Sequence, residues 1–300
     1  MCTIIAVGRW QQEIEETKLY RRQFMVSRKG VGTKMKTEHK TIRLIATDLD
    51  GTLLNSSKEV PERFEEWVCA HPEIKMVIAS GRQYYNIKKL FPKAADRLIY
   101  LAENGGMVVE EGEVVYTNTI KNEDVIACIE RFQEKDGHLV ILCGEKSAYM
   151  NHSTEDAERN ADMYYEKLEF TEDLQGCIQR DHIMKIAVFI EDYDADTYYR
   201  KLEKLNDRLN VVLSGTCWID IANKEVCKGA ALKFLQDKYG ISADESMAFG
   251  DFLNDESMLE QCRESYVMSN GHPLLKEKAK YIAASNDEDG VMKVLVRIGK

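Results

Sequence analysis

The chain has 300 residues, of which 44% are hydrophobic and 31% charged, which is typical of a soluble globular protein of about two domains and not of a disordered or fibrous chain. The formal net charge of -10 argues against a nucleic-acid binder, and no apolar run approaches the roughly 18 residues that span a bilayer. The eight cysteines include no Cys-x-x-Cys pair, which favours free thiols in a reducing cytoplasm.

The first 40 residues differ from the rest of the chain. They contain nine Lys/Arg residues against four Asp/Glu residues, and they show no clear apolar period after Val7. We predict that residues 1–40 form a poorly ordered extension outside the fold. Three early glutamates disfavour a transit peptide, and the alternative that the natural protein starts at Met35 stays open.

From Thr41 onward, short apolar runs end on polar residues. The runs cover 42–46, 74–79 and 98–102, and the polar residues after them are Asp48, Ser80-Gly81 and Asn104-Gly105. Such runs are typical of strands buried on both faces. Helices are predicted between them, over 61–70 and from after Ser80 to Leu90. Alternating strands and helices predict an α/β fold with a doubly wound parallel sheet.

The middle of the chain has a different pattern. A hairpin is predicted over 107–109 and 114–116. Helices are predicted over 122–134, 154–168 and 195–209, and strands over 138–142, 183–190 and 211–221. We therefore predict an α/β unit, residues 119–222, inserted between two halves of the sheet domain, residues 41–118 and 223–300.

After Asn223 the first pattern resumes. Helices are predicted over 229–239, 254–262, 273–281 and 289–298, and strands over 247–249 and 266–268. Ligands bind to open α/β sheets beyond the carboxyl ends of the strands. The candidate site therefore lies at four positions interpreted as strand ends: Asp48 to Thr52, Ser80 to Arg82, Lys228-Gly229 and Gly250 to Asp255.

Asp48 and Asp50 stand two residues apart, just past an apolar strand. Such a pair favours a hard cation such as Mg²⁺, which binds carboxylate oxygens and keeps Asp48 ionised, as a nucleophile requires. Asp50 is then placed to protonate a leaving oxygen and later to deprotonate water. Gly51 lets the backbone turn toward a phosphate, and Thr52 can add a hydroxyl donor. The alternative is a solvated turn, since Asp-Gly is a common turn pair.

The other candidate residues each have a structural alternative as well. Asp251 and Asp255 form a second carboxylate pair, although Asn254 or Asp255 could instead cap the helix that follows. Ser80 could equally be a helix cap. Lys228 could hold a phosphoryl oxygen and offset the carboxylates, or be one of many surface lysines. The combination is more specific than any of its parts.

The order of the four motifs resembles the haloacid dehalogenase-like phosphatase superfamily, and the inserted unit is similar to the large α/β cap of its Cof-type subfamily. The segments LIATDLDGTLL, VIASGR, CKGAAL and AFGDFLNDESML carry the resemblance, which covers residues 41–300. It implies a Rossmann-like core and a Mg²⁺-dependent cytoplasmic phosphatase. The expected substrate is a small phosphorylated metabolite, such as a sugar phosphate or a phosphorylated cofactor, and the expected assembly is a monomer or a small homo-oligomer.

The resemblance also implies a role for each motif residue. Asp48 is the nucleophile that forms an aspartyl-phosphate, and Asp50 is the general acid/base. Mg²⁺ is held by Asp48, Asp251 and the backbone oxygen of Asp50, and Asp255 supports the metal site. The residues predicted to bind the phosphate are Thr52, Ser80, Gly81, Lys228 and Asn254.

Substrate choice is expected to rest with the inserted unit. His152, Tyr164, Tyr165, His182 and Lys185 are candidates there, although each could be an ordinary surface residue. Two other functions stay open, a phosphomutase and a non-catalytic binding protein on the same fold. A phospho-accepting receiver is disfavoured by the Asp-x-Asp-Gly-Thr motif and by the inserted unit. Neither a nucleic acid nor a membrane is expected as a partner.

Overall fold

The computed structural model describes residues 41–133, 138–191, 194–200, 202, 208–213 and 217–298. The predicted extension, residues 1–40, lies outside the described residues. Within the described part of the chain, no helix is both long enough and apolar enough to cross a membrane.

The described residues form fourteen strands and ten α-helices, numbered in chain order. The strands are β1 Leu44–Asp48, β2 Lys75–Ala79, β3 Leu98–Ala102, β4 Met107–Glu110, β5 Glu113–Thr117, β6 His138–Gly144, β7 Ala148–Met150, β8 Leu168–Phe170, β9 Ile183–Ile190, β10 Leu209–Leu213, β11 Trp218–Asn223, β12 Ser246–Gly250, β13 Glu264–Met268 and β14 Tyr281–Ala283. The helices are α1 Phe64–Ala70, α2 Tyr84–Lys88, α3 Asn122–Gln133, α4 Glu155–Tyr164, α5 Leu174–Cys177, α6 Ala195–Tyr199, α7 Lys228–Tyr239, α8 Glu256–Glu260, α9 Pro273–Lys276 and α10 Gly290–Leu295.

The first sheet has eight strands in the order β14-β13-β12-β1-β2-β3-β4-β5. Neighbours from β14 to β3 are parallel, whereas β4 and β5 are added as an antiparallel hairpin at one edge. Every residue of β1, β3 and β12 is buried, because apolar clusters cover both faces of the sheet. The predicted α/β class with a parallel sheet is confirmed, and the carboxyl ends of β12, β1 and β2 meet at one edge.

The second sheet, which we call the cap sheet, comes from the chain between β5 and α7. Its order is β10-β11-β9-β6-β7-β8, and its pairs are antiparallel except β7–β8. Helix α3 packs on one face through Val125 and Ile129, and α4 packs on the other through Ala157 and Ala161. The inserted α/β unit is thus present. The boundaries 41–118, 119–222 and 223–300 stay predictions.

Three predicted helices run into residues that form strands instead. The first is α4, which ends before Leu168, a residue that begins β8 instead. Asn86 Oδ1 accepts the N–H of Glu166 at 2.8 Å, and Gln83 Oε1 accepts that of Lys167 at 2.9 Å. Both acceptors come from α2 and the turn before it, so these amides are unavailable to a helix. Contacts from a distant part of the chain therefore stop the helix.

The second is the helix predicted over 273–281. Helix α9 ends at Lys276, and Tyr281 begins β14, which pairs in parallel with β13. Tyr281 stacks on Tyr266 with the ring centroids 4.9 Å apart, so strand pairing and stacking outweigh local propensity. The third is the helix predicted over 195–209, since Leu209 begins β10 and pairs with β11.

Candidate active site

Three carboxylates meet at the carboxyl edge of the first sheet. Asp48 ends β1 and Asp251 follows β12, and because these strands pair in parallel both side chains leave the sheet at the same edge. Asp255 joins them from the turn before α8. One carboxylate oxygen of each residue lies within 4.8 Å of the other two. The structure thus brings together Asp48, from the motif after β1, and both Asp251 and Asp255, from the motif after β12.

A buried lysine offsets part of this negative charge. Lys228 is fully buried, and its Nζ donates to Asp48 Oδ1 at 2.5 Å and to Asp255 Oδ1 at 2.7 Å. The interpretation of Lys228 as a strand end is wrong, because it is the first residue of α7. Helix α7 can lie this close to α8 because residue 229 is a glycine. A Cβ on Gly229 would lie 2.3 Å from the carbonyl oxygen of Ser257, so no larger residue fits there.

Burial, together with the excess of carboxylates over cations, raises the pKa values of Asp48 and Asp251. Burial, followed by repulsion from Asp255, raises the pKa of Asp48 above 3.8, although Lys228 lowers it in part. Burial and Asp255 also raise the pKa of Asp251 to about 6. A buried site with three carboxylates and one ammonium favours a hard divalent cation with oxygen ligands. The residues therefore fit Mg²⁺.

Asp255 fixes the loop that presents Asp251. Its Oδ2 accepts the backbone N–H of Asp251 at 2.9 Å and that of Phe252 at 3.2 Å. Its side chain makes no bond to α8, but its bond to the Phe252 N–H caps the 3-10 turn Leu253–Asp255 that leads into α8, so the capping alternative holds for that turn. Gly250 is needed for this arrangement, because a Cβ there would lie 2.5 Å from the Cβ of Asp255. Asp255 therefore supports a candidate metal ligand through the backbone.

The turn after β1 is shaped around Asp251 as well. Gly51 has a φ of +81°, and a Cβ there would lie 2.3 Å from Asp251 Oδ2. Thr52 Oγ1 donates to Asp251 Oδ1 at 3.2 Å, and Asn270 Nδ2 donates to the carbonyl oxygen of Gly51 at 2.8 Å. In this arrangement the Thr52 hydroxyl holds Asp251. Its predicted contact with a phosphate stays a prediction.

The Asp50 side chain binds two cations and is not one of the three clustered carboxylates. Arg82 binds it with two hydrogen bonds, from Nε at 2.8 Å and from Nη2 at 2.6 Å, and Lys58 Nζ adds a third at 2.8 Å. Burial would raise the pKa of Asp50, but these bonds outweigh it and lower the pKa below 3.8. The sequence reasoning gave Arg82 no role. Its place beside Ser80-Gly81 in a strand-end motif was the signal available.

The loop after β2 is linked to the loop after β12 through Asn104. Ser80 is buried, and its carbonyl oxygen accepts the N–H of Asn104 at 2.9 Å. A Cβ on Gly81 would lie 2.9 Å from Asn104 Nδ2, and Asn254 Nδ2 donates to Asn104 Oδ1 at 3.1 Å. Three predicted phosphate-binding residues are therefore gathered around one asparagine.

The five cap candidates separate into two groups. His152 and Tyr164 are exposed; His152 pairs with Glu158 and stacks on Phe170, and Tyr164 packs on Trp218. His182 is also exposed. Tyr165 and Lys185 are buried and neighbour each other, with Lys185 Nζ 5.9 Å from the Tyr165 ring centroid. Lys185 also forms an ion pair with Glu103, which follows β3 of the first sheet.

Comparison with known proteins identifies a family whose model, described as haloacid dehalogenase-like hydrolase, matches residues 45–295. A relative from Escherichia coli (strain K12), the 5-amino-6-(5-phospho-D-ribitylamino)uracil phosphatase YbjI, is 32% identical over 267 residues, which cover 87% of this chain and 97% of the relative. The Bacillus subtilis (strain 168) phosphatase YwtE, named for the same substrate, is 28% identical and covers 83% of this chain and 96% of its own.

Solved structures resemble this chain over both sheets. A haloacid dehalogenase-like hydrolase from Bacteroides thetaiotaomicron has a TM-score of 0.76 and 26% identity, and the match covers 86% of this chain and 100% of that one. TM0651 from Thermotoga maritima has a TM-score of 0.78 at 24% identity, covers 87% and 98% of the two chains, and shares the fold.

Proposed function

This chain belongs to the haloacid dehalogenase-like hydrolases and is a phosphoric monoester hydrolase, and we propose that it works through an aspartyl-phosphate on Asp48 with Mg²⁺ as its metal ion. The observation that carries the proposal is the buried contact of Asp48 with Lys228 inside a cluster of three carboxylates. A carboxylate held at a sheet edge, beside fixed cationic charge, is suited to attack a phosphoryl group.

The first step transfers the phosphoryl group to Asp48. A carboxylate oxygen of Asp48 attacks phosphorus, and the bond from phosphorus to the leaving oxygen breaks as the new bond forms. Asp50 donates a proton to the leaving oxygen. In the second step, water attacks phosphorus and gives its proton to Asp50, and Asp48 leaves as a free carboxylate with release of inorganic phosphate.

The groups around Asp48 would hold the metal and the phosphoryl oxygens. Mg²⁺ fits the carboxylates of Asp48 and Asp251 with the backbone oxygen of Asp50, and when bound it supplies positive charge against the phosphoryl oxygens. Lys228 fixes the position of Asp48 and adds a second positive charge. The remaining phosphoryl contacts are assigned to the residues around Asn104, namely Ser80, Gly81 and Asn254, with Thr52 at the turn.

Asp50 must leave its observed position before it can act. The contacts with Arg82 and Lys58 keep it ionised, so it cannot donate a proton while they last. Movement of Asp50 toward the leaving oxygen breaks both contacts and removes the interactions that lower its pKa. We infer that Arg82 and Lys58 hold the resting position of the general acid.

The substrate class is a small phosphomonoester. Two relatives are phosphatases named for a phosphorylated ribitylamino-uracil, which supports sugar phosphates and phosphorylated cofactor precursors as candidates. Free cysteines support a cytoplasmic location, since the described residues contain seven, all without a disulfide.

The test is Asp48→Asn, with Asp244→Asn as the matched control. Asp244 is exposed and lies before the amino end of β12, at the opposite edge of the sheet. Hydrolysis of p-nitrophenyl phosphate would be measured with Mg²⁺ and with EDTA. In parallel, a radioactively labelled phosphomonoester would be acid-quenched to trap protein-bound phosphate that hydroxylamine releases.

Wild type and Asp244→Asn should turn over only with Mg²⁺ and should carry the hydroxylamine-labile label. Asp48→Asn should show neither turnover nor label, because an amide cannot attack phosphorus as a carboxylate does. More than a few per cent of wild-type turnover in Asp48→Asn would remove Asp48 from the nucleophile role. Label without turnover in wild type would favour a phosphomutase.

A further inference from the structure

The start of α2 joins the part of the chain that forms the first sheet to the inserted unit. Gln83 Nε2 donates to the carbonyl oxygen of Lys167 at 2.9 Å, and Gln83 Oε1 accepts the N–H of the same residue at 2.9 Å. Three residues later, Asn86 Oδ1 accepts the N–H of Glu166 at 2.8 Å. We call these three hydrogen bonds the α2 dock. Gln83 is 5% exposed and Asn86 is 7% exposed, so the α2 dock is shielded from competing water.

Neither of these side chains serves its own helix. Gln83 is the N-cap residue of α2, yet its side chain makes no capping hydrogen bond there. Asn86 lies inside α2, where asparagine has a low helix propensity. Local structure therefore does not explain why two buried amides stand at these positions. Their side-chain hydrogen bonds go to the backbone of the inserted unit, so the contact between the two parts of the chain accounts for both residues.

The residue before the α2 dock is Arg82, which binds the proposed general acid. Arg82 donates to Asp50 from Nε at 2.8 Å and from Nη2 at 2.6 Å. The backbone N–H of Arg82 donates to Ser80 Oγ at 3.2 Å. Residues 80–83 therefore connect a candidate phosphate contact, the general acid and the inserted unit within one short segment.

A second path from the inserted unit reaches Arg82 through Glu103. The carbonyl oxygen of Arg82 accepts the N–H of Glu103 at 3.2 Å. The Glu103 side chain is buried and pairs with Lys185 of the cap sheet, with Oε2 and Nζ 2.7 Å apart. Glu103 has a φ of +50°, which a residue other than glycine keeps only where its surroundings impose it. The backbone of Arg82 is thus held by two residues, Gln83 and Glu103, that are themselves bound to the inserted unit.

A fixed Arg82 matters for the movement of Asp50. The proposed mechanism requires Asp50 to leave Arg82, and a general acid must come within hydrogen-bond reach of the atom that it protonates. An Arg82 that shifted together with Asp50 would keep this carboxylate paired and away from the leaving oxygen. An Arg82 whose backbone is fixed stays behind when Asp50 moves. The anchored backbone of Arg82 therefore favours release of Asp50 toward the leaving oxygen.

We propose that Gln83 and Asn86 are positioning residues, which use the inserted unit as an anchor for Arg82 and so keep Asp50 competent as the general acid. This inference rests on the proposed phosphatase function. It gives the inserted unit a part in proton transfer that is the same for every substrate. Loss of the α2 dock should slow the reaction of esters whose leaving oxygen needs a proton and should spare esters whose leaving oxygen does not.

The test uses two substrates that differ in their need for a general acid. Phenyl phosphate releases the more basic oxygen and gains from its protonation, whereas p-nitrophenyl phosphate releases a weakly basic oxygen that departs without a proton. Both esters carry the same ring, so their contacts with the protein differ little. The ratio of kcat/KM for phenyl phosphate to that for p-nitrophenyl phosphate therefore measures proton donation to the leaving group.

Three variants change the α2 dock, and one leaves it intact. Gln83→Ala removes two of its hydrogen bonds and Asn86→Ala removes the third, whereas Asn86→Asp keeps an oxygen that can accept the N–H of Glu166. Lys89→Met is the matched control, because Lys89 pairs with Glu166 but the two side chains are 53% and 49% exposed. An exposed pair of this kind contributes little. Circular dichroism and melting temperature establish that each variant is folded.

Wild type and Lys89→Met should have the same ratio to within about twofold. In Gln83→Ala and Asn86→Ala the ratio should fall about tenfold, which is part of the roughly 10²–10⁴-fold that a general acid contributes. The loss should fall on phenyl phosphate, with kcat/KM for p-nitrophenyl phosphate nearly unchanged. Asn86→Asp should recover most of the ratio, because it restores the acceptor for the Glu166 N–H.

The proposal is overturned if folded Gln83→Ala and Asn86→Ala keep the ratio of Lys89→Met. It is equally overturned if kcat/KM falls by the same factor for both esters, since an equal loss indicates a merely structural contact. If Gln83→Ala does not fold, Asn86→Ala decides, because it removes a single hydrogen bond. Either negative result with active wild type leaves the phosphatase function intact. Absence of turnover on both esters in wild type with Mg²⁺ would overturn both the proposed function and this inference.

Discussion

Replacement of Lys228 by methionine tests whether this lysine holds the carboxylate cluster together. Lys228 is fully buried, as is Asp255, and the Asp48 side chain is only 9% exposed. Methionine keeps the unbranched stem and removes the ammonium. Asp48 and Asp255 would then be buried close together without the cation that both contact, and breaking a buried ion pair from one side costs about 3–5 kcal/mol. We expect the free energy of unfolding to fall by about that amount.

The same substitution at another lysine of α7 is the matched control. Lys233 is 55% exposed and pairs with Asp237, which is 65% exposed. An exposed pair one helical turn apart contributes about 0.3–0.5 kcal/mol, so Lys233→Met should be nearly neutral. Urea unfolding followed by circular dichroism, without divalent metal, gives both values. A loss below about 1 kcal/mol in Lys228→Met would refute the reasoning that the site depends on this cation.

The pH dependence gives a second test of the same variant. The pKa of Asp48 is already above 3.8 in the folded protein, and loss of the ammonium raises it further. The folded variant then binds more protons than its unfolded chain, so its stability falls as the pH rises. Wild type behaves in the same way up to its own raised Asp48 pKa of about 8, so the two stability curves should run parallel between about pH 3.8 and 8, and the difference should widen above about pH 8. A difference that stays constant above pH 8 would contradict this account.

Two further predictions concern stability away from the site. Burial alone would raise the pKa of Glu110. Its hydrogen bonds, including the one from Lys238, outweigh burial and lower the pKa from 4.5 to about 2. Glu110→Gln should therefore destabilise the protein at neutral pH, and the difference in urea midpoint should shrink as the pH falls below 4.5. Gly105 and Gly112 both have positive φ values, +101° and +82° respectively. A Cβ on Gly105 would lie 2.4 Å from the Cys227 carbonyl oxygen, whereas a Cβ on Gly112 would meet nothing within 4 Å. Gly112→Ala should lower the free energy of unfolding by about 1–2 kcal/mol because of backbone strain alone. Gly105→Ala should lower it by clearly more, because the new Cβ also meets the Cys227 carbonyl oxygen. Equal melting temperatures of the two variants would contradict this packing argument.

The strands of the first sheet could be predicted from sequence because their burial leaves a local signature. Strands β1, β2 and β3 lie in a sheet covered on both faces, so each reads as a short apolar run. The polar residues that follow each run mark the sheet edge where a site can form. The confirmed fold class and family follow from that pattern and from the motif order. The roles of the individual site residues stay predictions.

Helix ends were less predictable because distant contacts decide them. The helix before β8 ends where Asn86 and Gln83 bind the backbone, and β14 exists because β13 is there to pair with it. Asn86 and Gln83 lie about 80 positions before the helix end that they bind, and β13 lies outside the segment that is predicted to be a helix. A short stretch of sequence therefore cannot reveal these contacts.

By itself, the sequence determined which residues could carry the chemistry. Four polar motifs, rich in aspartate and glycine, follow one another in an order that structural roles such as turns and helix caps do not require. Only the tertiary structure decided how they are paired. Lys228 meets Asp48 across 180 positions of the chain, and Arg82 meets Asp50 across 32. The direction of Lys185 depends on the register of β9 between β11 and β6. Such pairings arise from the packing of whole elements, and a charge in the sequence carries no information about which opposite charge it will face.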